Sequence, residues 1–460
     1  MNSLTRRAPE LIAVPLAVGL GLALATTGGR GAAAIMAAAT LTVAAGVFAT
    51  ASSSQSRVAS GDFLLNVSLA LLWLAVLSIT FNGLRVTAGL AVADIALVAS
   101  AGAALLHFTV ARKAIPAPSW LILAGTGILV AGVISAAGQA DFGGNLIPAV
   151  RFTIALVLTP VLIGALTDGD GPRRLIIGAW VLSAAVNAAV GLSDFVGLTD
   201  VSSRYFPPGT GRLNALTSHP NHLGLVCAMT IPMVIWGLRA PRGVSPFGRA
   251  TNGILLAILA SGVYISGSRA AVIATVGGCA LVVLLAARRA RGAVIMIAFF
   301  AIALAIVPTL STFSIDQTGD PNVFERLSGD PGAQESDVRR LTALDEAQEA
   351  FISKPVFGEG FEKVRGAHDV YLQLLQAGGL VAFVAFGLFA VGTLRLGSTL
   401  GRGAQASHDL AGALMAVMAV WLVAGLFANA VYDRYLYVPA GLLLGLGAAS
   451  LRKRGASGAE

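Results

Sequence analysis

Residues 174–196, RLIIGAWVLSAAVNAAVGLSDFV, run from Leu175 to Ser193 without one charged side chain. As a helix rising ~1.5 Å per residue, that run approaches the ~30 Å hydrocarbon core of a bilayer. Arg173 and Arg174 stand before it and Asp194 closes it. Working outward, comparable apolar blocks occur at about 11–27, 31–50, 63–81, 84–111, 119–137, 147–167, 221–239, 250–267, 270–287, 292–310, 369–394, 409–431 and 435–451. The composition agrees. Of the 460 residues, 56% are hydrophobic and only 12% charged, and the mean hydropathy is +0.80. A water-facing chain carries about 25% charged residues, so a soluble multidomain protein is excluded. The expectation is an all-α, polytopic transmembrane helical bundle of about 12–14 spans.

The charge pattern sets an orientation. The net charge is +8. With the N-terminus in the cytoplasm, every second connection is cytoplasmic too. Those connections hold Arg112–Lys113, Arg173–Arg174, Arg288–Arg289, Arg452–Arg454 and others, 18 of the 31 basic residues in all. The positive-inside rule then predicts both termini in the cytoplasm. The basic balance is thereby explained without nucleic acid. The two arginines before the first apolar block are followed by no convincing small-residue cleavage site, so that block reads as a retained span. The two cysteines, Cys227 and Cys279, fall inside spans and imply neither a disulfide framework nor a thiolate metal site. High Ala, Gly and Arg use fits a GC-rich bacterial genome.

On this topology the water-facing mass lies outside. A short polar loop occurs near 138–146, a longer one over about 193–220, and the largest over about 311–367. The last carries eleven acidic and six basic residues. Within it, 338–352 has Leu341, Leu344, Ala347, Phe351 and Ile352 at helical spacing, Pro355 ends the pattern, and Gly358 and Gly360 supply a bend. The loop is too small to bury a core of its own and is expected to lie on the membrane domain as a lid. The chain thus divides into N-terminal spans (1–192), spans with outer Arg and His motifs (193–310), the extracytoplasmic loop (311–368), and C-terminal spans with a short cytoplasmic tail (369–460).

Candidate chemistry gathers on the outer side. His219, His222 and His368 fall at outer ends of spans, whereas His107 and His408 fall near the cytoplasmic side. Arg212 lies in GTGRLNALTSHPN, Arg269 in YISGSRAAV, and Arg151 a few residues inside the sixth span. A guanidinium beside hydrocarbon faces a cavity or a partner, or snorkels, and its donor fork matches phosphate oxygens. Ser266, Gly267 and Ser268 offer a turn and hydroxyls at a helix start, where N–H groups favour an anion. His368 is either a proton acceptor or a helix cap; Asp369, adjacent in sequence, does not form a dyad with it on a helix. Asp94, the main intramembrane acid, is either a relay or a buried helix partner.

Three ordered blocks carry a resemblance: R-L-N-x-L-x-x-H-P-N (Arg212–Asn221), S-G-S-R (Ser266–Arg269), and D-x-R…P-x-x-G-x-G-F…A-H-D-x-Y-L-x-x-L-x-x-x-G-L (Asp337–Leu380). Together they resemble the O-antigen ligase and polymerase superfamily of membrane glycosyltransferases. The resemblance spans about 170 residues. It implies a GT-C-like fold acting on a polyprenyl-diphosphate-linked glycan at the outer face of a bacterial cytoplasmic membrane. Arg212 and Arg269, with Arg151 behind them, would hold the donor diphosphate. His368 would stand near the acceptor hydroxyl as base, supported by His219, Asn221, Ser268, Arg339, Asp369 and Tyr371. Asp369 follows His368 where Asn is the more frequent family residue, and fourteen spans exceed the family's dozen or so.

The chemistry is coherent on its own terms. A glycan diphosphate leaves readily once its charge is stabilised, which two preorganised arginines supply. No D-x-D or His/Glu cluster occurs on the outer face, so no metal or other cofactor is expected, and in-line attack would invert the anomeric centre. Partners are then a lipid-linked glycan donor, a glycan or lipid-glycan acceptor and the bilayer. Ligase and polymerase share these motifs. A transporter or flippase would instead favour mid-membrane ionisable residues and broken helices in paired halves.

Overall fold

The computed structural model describes residues 60–87, 90–115, 117–201, 212–285, 331–362, 369–401, 405–428 and 431–457. Its elements are α1 (Ser60–Leu77), a two-stranded antiparallel hairpin of β1 (Arg85–Thr87) and β2 (Leu90–Ala91), α2 (Val92–Val110) and α3 (Ser119–Ala137). Next come α4 (Phe142–Thr153), a π-helical turn (Ile154–Leu158), α5 (Thr159–Leu166), α6 (Asp170–Phe195), α7 (Pro220–Arg239), α8 (Arg249–Ile265) and α9 (Arg269–Leu285). The last are α10 (Pro331–Ser353), α11 (Val370–Leu400), α12 (Gln405–Ala424), a 3₁₀ turn (Arg434–Tyr437) and α13 (Val438–Ser457). The chain is an all-α polytopic protein. Among the described residues seven helical stretches are long and apolar enough to cross a membrane, and four shorter ones are apolar. These eleven account for every expected span within the described residues; 11–27, 31–50 and 292–310 lie outside them.

One start differs from expectation. The apolar block from residue 84 is not helical until Val92, because 85–91 pair as the hairpin. Asp94, in the first turn of α2, accepts the backbone N–H of Ala91 at 3.0 Å. A carboxylate there satisfies an orphan amide and sits well against the helix dipole. Its place is a helix start.

The chain divides into two compact units. The first contains 60–113 and 174–275, hence α1, α2, most of α6, α7, α8 and the start of α9. Its centre is α7, buried almost throughout. Small residues let backbones approach, as expected where lipid offers no hydrophobic drive for association. A Cβ on Gly262 would meet Cys227 Sγ at 2.5 Å and Ala188 Cβ at 2.8 Å. Ser68 and Ser100 each donate to the other's carbonyl (2.9 and 2.8 Å), tying α1 to α2.

The second unit contains 114–173, the end of α9 and the chain from α10 onward. Phe386, Phe389, Trp421 and Tyr437 form an aromatic cluster, with centroids 5.2–6.2 Å apart and every contacting pair but the tilted Phe386–Phe389 edge-to-face, joining α11, α12 and the end of the 3₁₀ turn. Gly441 and Gly445 of α13 admit Ile163 and Thr167.

Its most unusual feature is a break in α11. Gly379 has φ 63° and ψ −160°, conformational space that is essentially glycine's alone. The break frees backbone groups, and the segment after α10 takes them up. The amides of Glu359 and Gly360 donate to the carbonyls of Gln376 and Ala377 (2.8 and 3.0 Å), and the amides of Leu380 and Val381 donate to the carbonyls of Pro355 and Val356 (2.8 and 3.2 Å). Backbone polar groups in a span must be satisfied within the protein, and this clasp does so. The motif Pro355–Phe361 is the clasp, and its glycines are needed for close approach: a Cβ on Gly358 would lie 2.5 Å from the Gln376 carbonyl oxygen. The exposed large apolar side chains of α11 (Leu380, Val384, Leu388 and Val391) all follow the break, the pattern of a lipid-facing stripe that begins there.

The expected amphipathic helix at 338–352 is longer, beginning at Pro331. Ala347 and Ala350 form its buried line, whereas Leu341 and Ile352 are exposed. The close contact needed there favours alanine over the larger side chains that the spacing picked out.

Candidate active site

In the first unit, the loop Arg212–His219 links the start of α7 to the α8–α9 turn. Ser266, Gly267 and Ser268 separate two helices with almost no linker. Gly267 takes φ 59°, and Ser268 caps α9, its Oγ accepting the Ala271 amide at 3.3 Å. Ser266 Oγ donates to the Val263 carbonyl at 2.7 Å. The Arg212 guanidinium is built into this turn. Its Nε donates to the Ser266 carbonyl at 3.0 Å, and its Nη2 donates to Asn221 Oδ1. Arg269 begins α9 three residues after that carbonyl. Gly224 of α7 packs on the same turn, for a Cβ there would stand 2.6 Å from Ser266 Oγ.

His219 is the N-cap of α7. Its Nδ1 accepts the Asn221 amide at 3.1 Å, which places the neutral ring's proton on Nε2. His222, one turn on, bonds through Nδ1 to Ser218 Oγ (3.1 Å), and the two rings lie 5.9 Å apart. The starts of α7 and α9, each the positive end of a helix dipole, therefore meet beside Arg212, with Arg269 on the second. The arrangement suits an anion. Arg212, Asn221, Ser268, His219 and the start of α9 are thus brought together in one unit.

The other expected residues belong to the second unit. Arg151 is exposed in the last turn of α4. Asp369 caps α11, its Oδ1 accepting the amides of Tyr371 (2.7 Å) and Leu372 (2.9 Å). Asp and Asn cap helices about equally well, which accounts for Asp at this motif position. The Tyr371 hydroxyl donates to the Leu422 carbonyl at 2.6 Å and the Val370 amide to that of Gly425 at 2.7 Å, fixing the start of α11 on α12. Arg339 lies in α10, and His368 lies outside the described residues.

Several supporting residues escaped the sequence reading. Asn187 of α6 accepts the Leu216 amide and donates to Thr80. Asn82 accepts the Ser218 amide at 2.8 Å. In the second unit, Asn145 Nδ2 donates to the Asp141 carbonyl at 2.9 Å and its Oδ1 accepts the Glu362 amide just past the clasp; Gln139 donates to the Glu359 carbonyl at 2.6 Å. A carboxamide within an apolar span was the available signal for Asn187.

Residues 254–387 match the family model described as O-Antigen ligase. Over this stretch the chain is similar to the O-antigen ligase family. The matched stretch runs from α8 to the middle of α11, so it takes in the Ser266–Arg269 turn, the clasp, the Asp369 cap and the break. No curated protein matches the chain. The O-antigen ligase match, together with the apolar helices, supports an O-antigen ligase-type membrane enzyme. The Arg212 loop precedes the match and is joined to it by the bond to Ser266.

Proposed function

We propose that this protein transfers a glycan from a polyprenyl-diphosphate donor to an acceptor hydroxyl, without a metal ion and with inversion at the anomeric carbon. Arg212 and Arg269 hold the donor diphosphate, with Arg151 contributing a further cation, and His368 accepts the proton of the attacking hydroxyl. Asn221, Ser268 and His219 support the arginines; Arg339, Asp369 and Tyr371 support the segment that carries His368. The site faces the outside of a bacterial cytoplasmic membrane, and both termini are cytoplasmic.

The observation that carries this reading is the junction of two helix starts with Arg212 locked between the Ser266 carbonyl and the Asn221 carboxamide. Negative charge grows on the diphosphate as the glycosidic bond breaks. Fixed donors aimed at that charge lower the barrier without reorganising at the moment of reaction. The alcohol oxygen forms the new bond, the diphosphate departs with the electron pair of the old one, and the alcohol proton passes to the imidazole.

The test is turnover of a lipid-linked glycan by purified protein in liposomes, with Arg212→Ala, Arg269→Ala and His368→Ala at matched protein levels. Loss of product and of released polyprenyl diphosphate in all three, unaffected by chelator in the wild type, is the expected result. Full turnover in the variants overturns it. A ladder of repeat units would assign the polymerase branch, a single transferred chain the ligase branch.

A further inference from the structure

We propose that Asn187 is a positioning residue for this reaction: from within the membrane span α6 it pins the loop that carries Arg212 and so sets the aim of the guanidinium. The inference rests on the role given to Arg212 above.

Asn187 is 0% exposed and lies inside the uncharged run of α6. A carboxamide in such a place is costly unless every polar atom finds a partner. Here each does. Oδ1 accepts the Leu216 amide at 2.9 Å, and Nδ2 faces the Thr80 carbonyl at 3.0 Å and the Thr80 Oγ1 at 2.9 Å. Because one partner is an N–H and another a C=O, the amide has a single workable orientation. Thr80 is itself held, its Oγ1 lying 2.7 Å from Ser183 Oγ one turn earlier on α6.

The other polar group of Leu216 is taken as well, its carbonyl accepting the Gly83 amide at 3.0 Å. With Asn82 on the Ser218 amide, three bonds from α6 and the 80–84 turn fix residues 216–218. The loop is also tied internally, Asn214 Nδ2 to the Thr217 carbonyl and Thr217 Oγ1 to the Asn214 carbonyl, both 2.7 Å. These bonds hold Ala215 at φ 48°, a left-handed conformation that a non-glycine residue leaves when released. Arg212 stands three residues before Ala215. Relaxation of Ala215 therefore swings the chain that carries the guanidinium.

Misplacement of a transition-state contact by about 1 Å costs on the order of a hundredfold in rate. The loss falls on kcat more than on KM, because the diphosphate gains charge only as it departs.

The experiment compares Asn187→Leu, which keeps the side-chain volume, with Ser68→Ala, which removes buried bonds between α1 and α2 in the same unit without touching the loop. Thr80→Val, which removes one of the partners of Asn187, and Arg212→Ala complete the set. Donor kcat and KM are measured in liposomes, together with amide exchange over 213–218. Expected are a fall of about ten- to a hundredfold in kcat for Asn187→Leu with KM within about threefold, a smaller fall in the same direction for Thr80→Val, near wild-type turnover for Ser68→Ala, and faster exchange over 213–218 in the two loop-network variants. If Asn187→Leu does not fold, Thr80→Val carries the same comparison. Wild-type kcat in Asn187→Leu and Thr80→Val while Arg212→Ala is inactive overturns the inference and leaves the function intact. Full activity in Arg212→Ala overturns the function; exchange over 213–218 then decides the pinning alone, and unchanged exchange ends that too.

Discussion

Replacing Gly379 by alanine tests the clasp. At φ 63° and ψ −160° an L-residue bears roughly 1–3 kcal/mol of backbone strain. The added Cβ would also lie 2.3 Å from the carbonyl carbon and oxygen of Val356 and 2.6 Å from the Phe357 nitrogen. These are backbone atoms, so no side-chain rotation relieves the contact. To reach ordinary van der Waals separation the Pro355–Phe357 segment must retreat by about 1 Å. The bonds from Leu380 and Val381, at 2.8 and 3.2 Å, do not survive that retreat. Each buried amide left without an acceptor costs about 1–3 kcal/mol. Taking the low end throughout, Gly379→Ala destabilises by about 3 kcal/mol, some two decades in the unfolding equilibrium. Gly387, on the same helix with nothing within 4 Å of a built Cβ, is the control. There alanine is favoured by about 0.5–1 kcal/mol, through helix propensity. Unfolding of the purified protein in mixed micelles, followed by far-ultraviolet circular dichroism, measures both. Equal stability of Gly379→Ala and Gly387→Ala would refute the argument.

Arg212→Lys keeps the charge but cannot reproduce the two-directional bonding to Ser266 and Asn221; turnover should drop at least about tenfold, measured as kcat/KM for the lipid-linked donor. His219 acts as a cap, so His219→Asn should stay active and stable, while His219→Ala loses about 1 kcal/mol on unfolding. Tyr371→Phe removes the 2.6 Å bond to the Leu422 carbonyl and should cost about 1 kcal/mol in the same unfolding assay. Asp369→Asn should be close to neutral, whereas Asp369→Ala gives up the two amides it accepts and falls by about 1 kcal/mol.

The spans were legible because apolar length is a one-dimensional signal. The block at 221–239 is α7 to within a residue. The block beginning at 84 misled because the paired residues 85–91 are too few for alternation to register beside the helix that follows. The Arg212 and Ser266–Arg269 blocks were legible as motifs, and the bond that joins them links residues 54 positions apart. The scaffold beneath them was harder to read. Asn187 acquires meaning only from Thr80 and Leu216, distant in the chain and neither unusual in type. The Pro355–Phe361 motif was visible as a bend, but its purpose was not. Its partners Gln376, Ala377, Leu380 and Val381 are bound through backbone atoms, which side-chain patterns do not reveal.

The clasp also imposes an order on biogenesis. Pro355–Gly360 leaves the ribosome ahead of Gly379, so the completing segment is made before the interruption it completes. Until the two meet, four main-chain groups on each side have no partner, and α11 lacks its final shape. Burial of that helix in the bilayer therefore waits on the docking of Pro355–Gly360. A nascent chain stalled between them presents bare peptide groups at the membrane, where each is costly to bury.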